Sequence, residues 1–228
     1  MKINADFTKR VVLHADEIDW LASPMAGVER RPLDRIGEEV ARATTIVRFA
    51  PGSAFSAHTH GGGEEYIVLD GVFQDEAGDF PKGSYVRNPP TSRHTPASAP
   101  GCTIFVKLWQ FDPSDRDEVH VDLNRAEPVP DPARPGTATV PLYDGYGESV
   151  RLEHWSAHAA FRQDVPGGAE LLVLEGSATE HGDALRKQSW VRIPPGGVID
   201  AKAGPDGAQV WIKTGHLNQI SVPGAAGA

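Results

Sequence analysis

The strongest constraint on this chain is that it repeats itself. Gly62-Gly-Glu-Glu-Tyr-Ile-Val-Leu-Asp-Gly71 lines up with Gly167-Gly-Ala-Glu-Leu-Leu-Val-Leu-Glu-Gly176. At the same offset of 105, Lys82-Gly-Ser-Tyr-Val-Arg-Asn-Pro-Pro90 meets Lys187-Gln-Ser-Trp-Val-Arg-Ile-Pro-Pro195. Phe105-Val-Lys107 then meets Trp211-Ile-Lys213 after a slip of one residue. Ordered matches at one spacing mark two copies of one structural unit. Inside the first copy the periodicity is that of strands. Arg42, Thr44, Ile46 and Arg48 share one face, and Ala43, Thr45, Val47 and Phe49 the other. Further strands are expected over Glu65–Leu69, Ser84–Asn88 and Thr103–Gln110, bounded by Asp70-Gly71, Lys82-Gly83 and Pro89-Pro90. With 24 glycines and 19 prolines in 228 residues, long helices are disfavoured, and Asp16–Leu21 offers only one helical turn. The chain reads as two tandem all-β domains: 1–125, a Pro-rich extended linker over 126–138, 139–222, and a flexible tail over 223–228.

Charge and cysteine content narrow the function classes. A net charge of -9 would repel a phosphate backbone, so no nucleic-acid partner is expected. Cys102 is the single cysteine, which rules out an internal disulfide or a CxxC zinc site. No apolar run is long enough to cross a bilayer, and Met1 to Trp20 lacks the pattern of a signal peptide. The expectation is a cytoplasmic protein without a membrane partner.

Chemistry concentrates in Gly52-Ser-Ala-Phe-Ser-Ala-His58-Thr-His60-Gly-Gly-Gly-Glu64. On a strand His58 and His60 point the same way, and the three glycines allow a turn that returns Glu64 toward both imidazoles. His94 follows the rigid Asn88-Pro-Pro90 corner. Three imidazoles and a carboxylate suit one divalent ion per chain, with Zn or Fe(II) leading and Mn, Ni or Cu also compatible. Glu65 competes with Glu64, but strand parity favours Glu64. Tyr66 shares that parity and is the candidate catalytic residue, against the simpler reading of a packed core tyrosine. Phe55, Phe73 and Trp109 are candidates for an apolar pocket or for ordinary core. Cys102 is either a redox-sensitive thiol or a buried inert one. Arg42, Arg48 and Arg87 are candidates to hold an anionic substrate, against surface arginines as the default.

At these residues the sequence resembles the cupin superfamily. The first cupin motif, G-x5-H-x-H-x3-E-x6-G, is filled by Gly52, His58, His60, Glu64 and Gly71. The second, G-x5-P-x-G-x2-H-x3-N, is met by Gly83, Pro89 and His94, with Thr91 in place of its glycine and Ser98 in place of its asparagine. Within cupins the chain resembles the ChrR-type branch, through His58–Tyr66, Val72–Glu76, Tyr85–Pro90, Gly101-Cys102 and Val106–Leu108. The resemblance implies two double-stranded jelly-roll barrels, a bicupin. By the repeat offset, His58, His60, Glu64 and His94 fall on Gln163, Val165, Ala169 and Ile199, so the second copy is expected to be degenerate and metal-free. Cupins with this ligand set include dioxygenases that cleave diketones and hydroxyacetophenones, which makes an oxidoreductase acting on a small carbonyl compound the leading expectation. The resemblance also implies a regulator that senses reactive oxygen, and a non-catalytic binding protein is a third reading. Binding of a sigma factor is disfavoured, because no N-terminal His/Cys zinc motif is present. A small-molecule ligand is the expected partner, and a homodimer is compatible with the sequence.

Overall fold

The computed structural model describes residues 1–224, so the flexible tail expected over 223–228 lies mostly outside the described residues. The architecture is all-β, with a single 3₁₀ turn at Ala15–Glu17 and no α-helix among the described residues. Two compact units form. The first comprises Met1–Ala5, Ile18–Arg125 and 221–224, and the second Asp6–Glu17 and Ala126–Ile220.

In the first unit the main sheet runs Lys2–Ile3, Val28–Gly37, Ala41–Phe49, Cys102–Leu108, Glu64–Asp75, Ser84–Asn88, Val119–Asp122. Smaller pairings, His58–Thr59 with Arg93–His94 and Ser53–Ala54 with Ala97–Ser98, complete the barrel. Alternation decides what enters its interior. Val47, Phe49, Tyr66, Val68, Val86, Ile104 and Val106 form a buried apolar cluster. Their strand neighbours Arg42, Thr44, Glu65, Arg87 and Lys107 are also buried, but belong to the opposite, polar face of the same strands. On that face Tyr85 donates to Glu65 at 2.7 Å, and Arg87 pairs with Asp115 at 2.7 Å.

The second unit repeats the plan: Val129–Pro130, Thr137–Gly145, Glu148–Trp155, Gly197–Thr214, Ala169–Glu180, Ser189–Ile193, Val11–His14. Its interior is filled by Trp155, Phe161, Val165, Leu171, Val173, Val191, Ile199, Val210 and their apolar neighbours.

Two features differ from the sequence expectation. The strand leading the first copy is built into the second unit. Val119–Asp122, inside 1–125, pairs with Ser84–Asn88 of the first unit. Val11–His14 precedes the first copy yet pairs with Ser189–Ile193 of the second, so residues 1–125 are not one contiguous unit. The reason is the edge of a fully buried strand, whose amides require partners. Arg10 anchors the segment through Glu180 and Asp183, Arg192 stacks on Phe7 at 4.2 Å, and Val12 packs on the apolar core. The second difference lies in the Pro-rich segment. It is no plain spacer: Val129–Pro130 pairs with the start of Thr137–Gly145, and Arg134 ties the turn to Asp131 and to buried Glu153, both at 2.7 Å.

Val12→Asp would place a carboxylate against that core and is expected to cost about 2–4 kcal/mol. Hydrogen exchange should accelerate at Trp190 and Val191, the cross-strand partners of Leu13 and Val12. Unchanged protection there would mean that Val11–His14 does not support the second unit.

Candidate metal centre

The first barrel brings His58, His60, Glu64 and His94 together, with one ligand atom from each lying within 4.8 Å of the others. His58 and His94 are cross-strand partners in a two-stranded ribbon. The ladder continues through His60, whose amide donates to Ser92 and whose carbonyl accepts from Thr91, both at 2.9 Å. Glu64 opens the adjacent long strand and faces inward, while Glu65 faces outward to Tyr85.

A network of hydrogen bonds sets the imidazole tautomers. His94 Nδ1 lies 3.0 Å from a carboxylate oxygen of Asp75, and His58 Nδ1 lies 3.0 Å from the carbonyl of Ser56. Ser92 Oγ donates to the Pro89 carbonyl at 2.6 Å, which leaves it to accept from His60 Nδ1 at 3.0 Å. In the neutral imidazoles, acceptors at all three Nδ1 atoms place the protons there and leave each Nε2 a bare lone pair. His60 Nε2 and His94 Nε2 face each other at 3.1 Å, and Glu64 Oε2 stands 3.4 and 3.3 Å from them. Those lone pairs cannot satisfy one another. Metal–ligand bonds of about 2.1 Å at near-octahedral or tetrahedral angles give ligand spacings of about 3.0–3.4 Å, so a divalent cation fits the donor set. Burial holds His60 below its usual pKa, against the field of Glu64. Burial also opposes protonation of His94, but the Asp75 hydrogen bond and the charge of Glu64 outweigh it and raise its pKa. Asn88 donates to Glu64 Oε2 at 3.3 Å and fixes the carboxylate.

The glycines serve the site through what lies on them. A Cβ on Gly61 or Gly62 would come within 2.8 or 2.4 Å of the Trp109 ring, and one on Gly63 within 2.4 Å of Phe111. The ligand loop is therefore clamped beneath two aromatic side chains. Thr91, standing where the cupin motif has glycine, holds φ at 77°, a left-handed conformation that strains a β-branched residue. Ser98, in place of the motif's asparagine, is fully buried and donates to the Val72 carbonyl at 2.6 Å.

A cavity of about 320 Å³ opens from the three ligands His58, His60 and Glu64. Phe55, Phe73, Val47, Ile104, Val106, Leu108 and Trp109 line it. The sequence candidates Phe55, Phe73 and Trp109 thus reach the cavity, whereas Tyr66 is not among the lining residues. Its ring packs on Phe73 at 4.7 Å, and burial, with the charges of Glu64 and Asp75, pushes its hydroxyl pKa up. Cys102 is buried in the same apolar cluster, which pushes its thiol up to about 11, the state of an inert cysteine. Arg42, Arg48 and Arg87 do not line the cavity. Arg42 and Arg87 lie on the opposite sheet face, and Arg48 pairs with Glu29 and stacks on Trp20 at 4.3 Å. Sequence reasoning missed Asp75 and Ser92, since nothing in their spacing ties them to the histidines.

Residues 8–112 match the family model described as the ChrR cupin-like domain. No curated protein matches the sequence. Among solved structures, a candidate dioxygenase from Nostoc punctiforme superposes with a TM-score of 0.75 at 14% identity, covering 97% of this chain and 88% of that one. Bacterial pirin from Escherichia coli, solved with nickel(II), gives 0.65 at 14% identity over 90% of this chain and 98% of its own. Oxalate decarboxylase from Bacillus subtilis gives 0.62 at 11% identity over 90% of this chain and 76% of its own. These likenesses establish the cupin-barrel fold.

Asp75→Asn is expected to weaken metal binding by about 10–100-fold while leaving all four ligands in place, measured by competition with a chelator. Affinity equal to the parent would remove Asp75 from the support of His94. Thr91→Gly should raise stability by about 0.5–1 kcal/mol in denaturant titration, since relief of the left-handed backbone exceeds the extra freedom of the unfolded chain. A loss of stability would show that the strain is not located there.

Proposed function

Starting from a ChrR cupin-like domain at residues 8–112, we propose that this protein is a metal-dependent, dioxygenase-type enzyme acting on a small carbonyl compound, a diketone or an aromatic ketone. The observation that carries the reading is the pairing of a three-histidine, one-glutamate donor set with an apolar chamber opening from it. His58, His60, Glu64 and His94 would hold the ion. When bound, it would supply Lewis-acid polarisation of a carbonyl and, where it is iron, one-electron chemistry with dioxygen. The protein's part is placement and exclusion. Val47, Phe55, Phe73, Ile104 and Val106 keep water from the reacting carbon, and Asn88 holds the Glu64 carboxylate in register. The similarity to a candidate dioxygenase and to a nickel-bound pirin is consistent with this chemistry. A reactive-oxygen sensor of the ChrR kind would use the same ligands but has no need of a chamber lined by aromatic and aliphatic side chains.

The second barrel supports a single centre per chain. The positions matching the ligands hold Val165, Ala169 and Ile199 within its apolar core, and Gln163, which accepts from Arg151 at 2.8 Å. Elemental analysis should therefore find about one metal per chain, falling sharply in His94→Ala. The iron-loaded protein should consume dioxygen in proportion to added acetylacetone or hydroxyacetophenone. Metal release by peroxide with no dioxygen uptake on any such ketone would overturn the enzymatic reading in favour of sensing. Two metals per chain would overturn the assignment of a single site.

A further inference from the structure

We infer that the substrate of this cavity carries a carboxylate, which Arg30 receives at the end remote from the metal. The inference rests on reading the cavity as the place where substrate meets the ion, and it adds a charge requirement that the metal centre does not contain. Two arginines of strand Val28–Gly37, Arg30 and Arg35, line the chamber. Five residues apart, they would occupy opposite faces of a regular strand. The register shifts between Pro32 and Asp34, however, leaving Leu33 unpaired. Arg30 therefore stands opposite Val47 and Arg35 opposite Ala43, both on the inner row of the neighbouring strand.

The two have different work. Arg35 is committed: it donates to the backbone carbonyls of Glu38 and Glu39 and so holds the loop at the mouth. The Arg30 guanidinium makes no hydrogen bond or ion pair among the described residues, though the residue is half-buried. Burial first, then the adjacent charge of Arg35, lower its pKa, and the carboxylate of Glu39 compensates only in part. A guanidinium held half-desolvated beside a second one, in a chain of net charge -9, has its donors unspent. One planar fork matches one carboxylate. Arg30 stands opposite Val47, Phe49 packs on Phe55, and Phe55 packs on His58, all lining the same chamber, so the body joining the two ends of the ligand is apolar.

The test is calorimetric titration of the zinc-loaded full chain with 3-phenylpropanoate and with its neutral amide, 3-phenylpropanamide. The parent protein should prefer the acid by about tenfold or more, equivalent to about 1.4 kcal/mol or more. Arg30→Gln should abolish the preference while keeping its metal content, and Arg30→Lys should retain part of it. Equal binding of acid and amide, absence of binding by either, or a preference that survives in Arg30→Gln would overturn the inference, the last because the carboxylate would then be on the metal. If Arg30→Gln fails to fold, loss of the preference in Arg30→Met decides in its place. Dioxygen uptake is measured separately. A protein that selects the acid through Arg30 but turns over no ketone keeps this inference and loses the oxygenase reading.

Discussion

The two-residue alternation of the barrel strands is the constraint on which the site depends. At the start of strand Glu64–Asp75, Glu64 turns inward to His60 and His94, and Glu65 turns outward to Tyr85 and Arg87. A register slip of one residue would exchange them. It would send the metal carboxylate to a face already holding buried charge and put Ile67 where Tyr66 packs. Because both faces of these strands are buried, the cost of such a slip is paid twice. The same rule, broken once at Leu33, is what brings Arg35 inside with Arg30.

Position alone does not make the histidines candidate ligands. Each carries its proton on the outer nitrogen because an acceptor waits there: Ser56, Ser92 and Asp75. Ser92 is the informative case, since its own donation to Pro89 removes the choice of direction. The result is a set of converging lone pairs, buried at His60 and His94 and exposed at His58, whose mutual repulsion a cation would relieve. The clamp of Trp109 and Phe111 over Gly61–Gly63 then restricts how far the loop between His60 and Glu64 can relax when that cation is absent.

Much of this was legible in the sequence, and the limits have physical causes. The repeat, the strand alternation and the four candidate ligands depend on local spacing, and local spacing is what a sequence displays. Asp75 and Ser92 depend on contacts across strands and carry no spacing signal of their own. The arginines show the same limit more sharply. Arg42, Arg48 and Arg87 looked available, but the first and last face the polar side of the sheet and the second is bound to Glu29. Arg30 and Arg35 drew no attention, because the bulge at Leu33 that turns both inward has no glycine to announce it. The place of Val11–His14 was hidden for a related reason: proximity in the chain favoured pairing it with the copy it precedes.

The comparison of the two barrels separates what builds the fold from what builds the site. Their outer faces keep equivalent residues, Glu65 and Glu170, Tyr85 and Trp190, Arg87 and Arg192, Lys107 and Lys213. In both, the aromatic residue donates to the glutamate, at 2.7 Å from Tyr85 and 3.1 Å from Trp190. Turn glycines are shared as well: Gly71 and Gly176 hold φ at 71° and 75°, and a Cβ on either would strike a facing carbonyl oxygen, at 2.1 and 2.2 Å. What differs is the interior. With strand pairing, outer face and turns in place, the inside of the barrel can be filled with Val165, Ala169 and Ile199 or left as a chamber ending in His58, His60 and Glu64. The filled barrel gains apolar burial at every one of those positions. The open one gives up that packing for a chamber that ends in polar donors.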